Sequence, residues 1–522
     1  MGRLATIFCV AVFCFGHAQL AIAAEDDLVF DRKALKFEHP VISAGEALRA
    51  LSPDRDALIV RTRDSQANHK IHFFSADTLA TDAPQITQTV DVPKNAIFYT
   101  LGEMPDGEME KLLIFTEKGI SAYDPTNNRF APLVETSSLF RQGTDLRFQR
   151  SGFARDLNND ERFDLLVQDF DGLKVFLQRA DGTFSGETLI PVEPELRLTG
   201  SLSNDNISDT ALSLPAARTP TFRIFPSYIA DVTGDGKSDI SFLIGRELKI
   251  FAQTASGGFS TTPLTTGFLF EVRGNTWRDE ILSAEKNTDQ RNFKEVTIYR
   301  VLDMDGDDVL DVITVNNEAS GLLDREQEFR VHFGRVEGGK VAYSQTADQI
   351  LDFGGIGGAG FRDVNDDGRK DFVVTSTKLS IGRVISFLLN RKLSVQTKTF
   401  LDDGQGNFKE DKDYRGTRSI KIDLGRALTT NPPWGYADFN GDGAIDLMTT
   451  SSKGRMQLFL GGKGEPFEHM MAEIKDDFPH EGALVVTEDI NGDAKADIIV
   501  PFSPIGFDGE EKKTEVVLHL SK

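Results

Sequence analysis

The chain has 522 residues, a formal net charge of −23 at pH 7, 46 glycines, eight histidines and two cysteines. That acidity excludes nucleic acid and anionic membrane surfaces as partners on electrostatic grounds. So few cysteines and histidines argue against zinc or thiol chemistry, and length alone points to two to four domains.

Residues 1–23 read as an export signal, with a basic start at Arg3, an apolar run from Leu4 to Phe15 and small residues at Ala21-Ile-Ala23. The run is too short to span a bilayer, and no later stretch is long and apolar enough to do so. Cys9 and Cys14 both fall inside this segment, and Phe13 before Cys14 is a poor lipid-attachment context. The exported chain is therefore expected to be stabilised without disulfides. Final compartment is left open among periplasm, cell surface and medium.

The rest of the chain is repetitive. Six nonapeptides share one pattern: Asp156-LNNDERF-Asp164, Asp231-VTGDGKS-Asp239, Asp303-MDGDDVL-Asp311, Asp363-VNDDGRK-Asp371, Asp438-FNGDGAI-Asp446 and Asp489-INGDAKA-Asp497. Each runs into a short apolar segment, and a second β-type run such as Leu173-KVFLQ or Met456-QLFLG follows. Weaker copies precede them, one leading to Asp56 and one at Gly102-EMPDGEM-Glu110. This gives eight loop-bearing units, near 48–60, 102–114, 156–168, 231–243, 303–315, 363–375, 438–450 and 489–501.

Short β-branched and aromatic runs between Gly, Asp and Asn turns are strand signals, with no long helical period competing. About four strands per unit predicts an all-β fold, a single β-propeller spanning 24–522, most simply eight-bladed. Seven blades (if the 48–60 unit is not a true blade) and an open solenoid are the alternatives. The last unit lacks an outer strand before Lys522, and Val29 to Ser43 belongs to no unit. The N-terminal segment is therefore expected to close the ring by supplying that strand, which also removes an exposed edge. Unit spacing is uneven, and long connections at 190–226, 265–296, 320–358 and 378–433 are expected between blades. One of them, Trp277-RDEILSAEK, reads as a short helix. Such inserts often form a binding face.

The nonapeptides place oxygen side chains at positions 1, 3, 5 and 9. These candidate metal ligands are Asp156, Asn158, Asp160 and Asp164; Asp231, Thr233, Asp235 and Asp239; Asp303, Asp305, Asp307 and Asp311; Asp363, Asn365, Asp367 and Asp371; Asp438, Asn440, Asp442 and Asp446; and Asp489, Asn491, Asp493 and Asp497. Calcium wants six to eight oxygens, whereas magnesium prefers few protein ligands and a strict octahedron. An EF-hand would need glutamate at position 12 and flanking helices. Thr314, Thr449 and Val500 stand there instead, inside apolar runs. Up to six calcium ions are expected, and the nineteen aspartates among these ligands account for most of the net charge. Glycine fills position 6 at 236, 368 and 443. Asp308 stands there in a fourth loop and tolerates a left-handed backbone moderately well, whereas Glu161 and Ala494 fill the slot in the other two, where a positive φ would be costly. No ion is expected in the 102–110 copy.

These loops closely resemble the FG-GAP/VCBS repeats of integrin α-subunit propellers and many exported bacterial proteins, over about 45 to 520. The resemblance implies that each loop joins two strands of a blade and that its ion is structural. Serine-nucleophile, HExxH and phosphate-loop patterns are absent from the sequence. His39, His69, His72, His332, His469, His480 and His519 form no paired motif. No catalytic or cofactor-binding residue is assigned. Arg273, Trp277, Arg278 and Trp434 sit in inserts, where packing against the ring is favoured over clamping a sugar. The expectation is an exported calcium-stabilised module for binding or adhesion to a protein or glycan, of unknown oligomeric state and more simply not an enzyme. A polysaccharide lyase or hydrolase on the propeller face is the alternative.

Overall fold

A computed structural model describes residues 28–52, 55–102, 110–138, 148–199, 219–502 and 512–522, excepting 288, 290, 322–323, 366, 379, 391, 422–433, 452–453, 465, 477 and 480. The export signal expected at 1–23 and most of the 102–110 loop copy lie outside the described residues.

The described chain forms eight antiparallel blades in a ring. Blades 1 to 7 span 41–91, 96–135, 154–190, 227–267, 293–352, 356–421 and 435–474. Blade 8 takes three strands from 486–521 and its outermost strand from the other end of the chain. That strand, Phe30–Lys36, pairs with Glu515–Ser521 from Phe30↔Ser521 to Lys36↔Glu515. The ring is closed as expected, except that Val41 onward already belongs to blade 1. The 48–60 unit is part of a true four-stranded blade, which fixes the count at eight and removes the seven-bladed alternative. Its two inner strands meet at a tight connection, with Ser52 opposite Arg55, so no nonapeptide loop fits there.

Alternating strand residues build a core in layers between blades. Buried apolar clusters fill the junctions 8–1, 1–2, 2–3, 3–4, 4–5, 5–6 and 7–8. At the 5–6 junction, for example, Phe329, Phe353, Phe372, Phe400 and Phe408 pack together.

Two of the expected inter-blade connections are corrected. Residues 320–358 hold the two outer strands of blade 5, Arg325–His332 and Gln349–Asp352, with the small ribbon Gly334–Val336 and Val341–Tyr343 between them. Residues 378–433 hold the helix Ile381–Asn390 and then the two outer strands of blade 6, Lys392–Asp402 and Phe408–Lys421. The two edge strands among them, the four-residue Gln349–Asp352 and the highly charged Phe408–Lys421, lack the apolar alternation that marks a strand in sequence. The helix read at Trp277 spans Trp277–Lys286, with a capping box between Thr276 and Asp279. Trp277 packs there against the two-stranded ribbon of the preceding insert, Glu195–Thr199 with Thr219–Arg223: Arg223 lies 5.4 Å and Arg197 6.0 Å from its ring. The backbone N–H of Trp277 donates to Glu195, and Arg273 pairs with Glu295. Arg273 thus holds its insert against blade 5, as expected, whereas Trp277 packs against the neighbouring insert and not against the ring.

Candidate metal centres

In blades 3 to 8 the first strand ends at a nonapeptide, and its ninth residue opens the second strand: Asp164, Asp239, Asp311, Asp371, Asp446 and Asp497. Equivalent connections in a propeller lie on one side of the ring, so the six loops share that side. All six ninth-position aspartates are wholly buried.

Their burial is offset by hydrogen bonds to both carboxylate oxygens. One oxygen accepts an N–H from the start of the loop: Leu157, Met304, Val364, Phe439 or Ile490 at position 2, and Thr233 at position 3 in the remaining loop. The other accepts an N–H at or just beyond the end of the third strand, from Gln178, Gln253, Gly334, Asp402, Gly461 or Ser521. Each aspartate thus ties loop, second strand and third strand together. Backbone approach is close there: a Cβ on Gly461 would lie 1.9 Å from the Ile445 carbonyl oxygen. Sequence reading missed one part of this anchor, the apolar residue at position 2. Leu157, Val232, Val364, Phe439 and Ile490 are buried, and the signal was the apolar residue after each leading aspartate.

The remaining loop oxygens form a half-buried cup above that carboxylate. Position 1 folds the chain by accepting backbone N–H groups; Asp438, for instance, accepts from Gly441 and Gly443. Position 5 accepts the N–H of position 7, as Asp442 does from Ala444. Position 3 is different. The side-chain oxygens Asn158 Oδ1, Thr233 Oγ1, Asp305 Oδ1 and Asn365 Oδ1 are buried and accept no hydrogen bond. Asn440 Oδ1 and Asn491 Oδ1 instead accept the N–H of Asp442 and Asp493. Oxygens of Asp303, Asp305 and Asp311 lie within 4.8 Å of one another. Carboxylate, amide and hydroxyl oxygens converging without nitrogen or sulfur form the donor set of a hard divalent cation.

All six loops keep one backbone shape. Position 6 is left-handed throughout, at Gly236, Gly368 and Gly443 and equally at Glu161 (φ 62°), Asp308 (φ 65°) and Ala494 (φ 64°). The expected strain is present, and the loops fold alike despite it. They differ in local charge. At position 7, Arg162, Lys237 and Arg369 pair with the position-5 carboxylates Asp160, Asp235 and Asp367. Val309 and Ala444 stand at that position in the loops of blades 5 and 7.

Burial raises the pKa of every ninth-position aspartate. Asp311 and Asp446 are pushed up to about 7, Asp164 and Asp497 to about 6, and Asp239 and Asp371 upward as well. His69, His72, His332 and His519 are buried strand residues.

A family model described as an FG-GAP-like repeat matches residues 438–500, which hold the loops of blades 7 and 8. No curated protein matches the chain. Among solved structures, the chain is similar to an Agrocybe aegerita lectin described as recognising non-reducing terminal N-acetylglucosamine (14% identity, TM-score 0.39, covering 95% of this chain and 99% of that one). It is also similar to Sqt1 from Chaetomium thermophilum (13% identity, TM-score 0.38, 93% and 97%). A third is the rhamnogalacturonan lyase YesW (11% identity, TM-score 0.24, 91% and 68%). With the family match falling on blades 7 and 8 and one loop recurring through blades 3 to 8, the chain is a β-propeller that carries FG-GAP-like repeats.

Proposed function

We propose that the protein is an exported propeller stapled by calcium, serving as a non-catalytic module that binds a protein or a glycan. The observation that carries the calcium reading is the set of buried, unpartnered oxygens at position 3 of four loops, each above a fully buried aspartate. A buried acceptor without a donor costs about 1–3 kcal/mol, and a cation coordinated there would remove the deficit. Asp303, Asp305, Asp307 and Asp311 would supply the most anionic site, and calcium the positive charge that lets four carboxylates approach. The other five sites would use the residues at positions 1, 3, 5 and 9 of their loops. The leading segment of the chain supports export.

Thermal melting with and without chelator tests the reading. At a hundredfold excess of free calcium over Kd, each occupied site adds about 2.7 kcal/mol, so chelation should lower the melting temperature and added calcium should restore it. An unchanged melt would refute the structural role. Asp442→Ala, at an exposed position, should reduce the calcium increment while leaving the chelated protein folded, because stability is spread over many blades. For the binding role, a glycan and protein array followed by product analysis should show capture without cleavage.

A further inference from the structure

Blade 6 has two unlike faces. Toward blade 5 it presents Phe361, Phe372, Val374, Phe400 and Phe408. On the face toward blade 7, strand register sets Gly358, Thr375, Thr397 and Gly416 in one row, beside Gly360, Arg362 and Arg418. The missing side chains leave a cavity of about 110 Å³ against blade 7, reached past Trp434. That is room for several waters. A Cβ on Gly360 would meet nothing nearer than Arg362 Nη2 at 3.9 Å, so no close backbone approach demands glycine there.

Two guanidiniums face this cleft. The Arg362 guanidinium lies 4.2 Å from the Tyr436 ring centre, and Arg418 lies 4.2 Å from that of Phe459. Arg418 donates to the Phe467 carbonyl oxygen at 3.2 Å, and burial draws its pKa down to about 10. Glu468, whose charge reaches Arg418, accepts the Thr417 backbone N–H. Among the described residues neither guanidinium is paired with a carboxylate. Two stacked, partly desolvated cations that are not ion-paired, set against the single nearby charge of Glu468, favour an anion in the space between them. The hydroxyls of Thr375 and Thr397 stand 3.3 Å apart on the wall, and Trp434 at the mouth is 43% exposed.

We propose that the cleft between blades 6 and 7 binds an acidic sugar. Its carboxylate is held by Arg362 and Arg418, its hydroxyls by the threonines, and its ring lies against Trp434. This inference rests on the binding-module reading and gives that module a ligand class and a place.

The chain has only two tryptophans, Trp277 and Trp434, so a Trp277→Phe background makes fluorescence report on the cleft alone. The calcium-loaded protein is titrated with glucuronate, galacturonate, glucose and inorganic phosphate. Uronates should change Trp434 emission saturably, with glucose and phosphate at least about tenfold weaker because each lacks half of the interactions. Gly360→Val fills the cavity on a strand that tolerates a β-branched residue and should abolish the response. Arg418→Gln should weaken it about tenfold. No saturable response to either uronate, an equal response to phosphate, or binding that survives Gly360→Val overturns the proposal. A chelator-sensitive melt without a uronate response would sink the cleft alone and leave the calcium scaffold standing.

Discussion

Ala494 holds a left-handed backbone (φ 64°) at position 6 of the last loop, where three sibling loops carry glycine. Such a conformation brings an L-residue's Cβ close to a carbonyl oxygen at a cost of about 1–2 kcal/mol, partly repaid because glycine loses more chain entropy on folding. The strain is imposed by the Asp489 carboxylate, which accepts the Ala494 N–H at 2.9 Å and cannot do so with an extended backbone there. Ala494 is exposed, so substitution disturbs no packing. Ala494→Gly should therefore stabilise the protein by up to about 1 kcal/mol, read as a rise in denaturation midpoint at unchanged m-value. Gly492→Ala, at φ 80° in the same loop, should do the reverse. If both substitutions were neutral, the left-handed turn would not be strained as argued.

At the scale of the loop, the buried aspartate would make the proposed ion binding depend on pH. The folded pKa of Asp311 and Asp446 is about 7 and that of Asp164 and Asp497 about 6, against 3.8 for an exposed group. A folded pKa above the unfolded one gives the ion-free protein stability that is fully present below about pH 4 and is lost as pH rises through 6 to 7. A coordinated cation needs the ionised form, so its contribution grows through the same window. The calcium-dependent rise in melting temperature should be large at pH 8 and much smaller at pH 5. His69, His72 and His519 act oppositely: burial lowers their pKa to about 4 from 6.5, so stability falls as pH drops from 6.5 toward 4. Comparing melts with and without calcium at each pH cancels that common term. A calcium increment that stayed constant from pH 8 to pH 5 would place the ion away from these carboxylates. The loops were legible in the sequence because their chemistry is local: nine consecutive residues supply every candidate ligand. The double amide anchor on Asp446 was not legible, since Gly461 reaches it from another strand. Nor was the cleft, whose Gly358, Thr375, Thr397 and Gly416 come from four strands and align only through register.

At the scale of the whole ring, seven blades are each built from consecutive chain and the eighth from both ends. Leu35 in the closing strand is buried in the cluster joining blades 8 and 1, and Lys33, 6% exposed, donates to the Leu79 and Thr81 carbonyl oxygens of blade 1. The strand therefore completes blade 8 and also bolts it to its neighbour. Deleting residues 28–37 would expose Glu515–Ser521 as a bare edge with Val517, Leu518 and Leu520 beside it, a ready template for pairing with another chain. The truncated protein should melt lower by roughly 5 °C and self-associate, seen as concentration-dependent elution in size-exclusion chromatography. A synthetic peptide of residues 28–38 should restore the elution volume of the full chain by strand addition, whereas the same peptide with Leu35→Asp and Lys33→Glu should not. A truncated chain that eluted like the full one with an unchanged melt would show that blade 8 is held by blade-to-blade packing alone, and that the join between the two ends contributes nothing to closure.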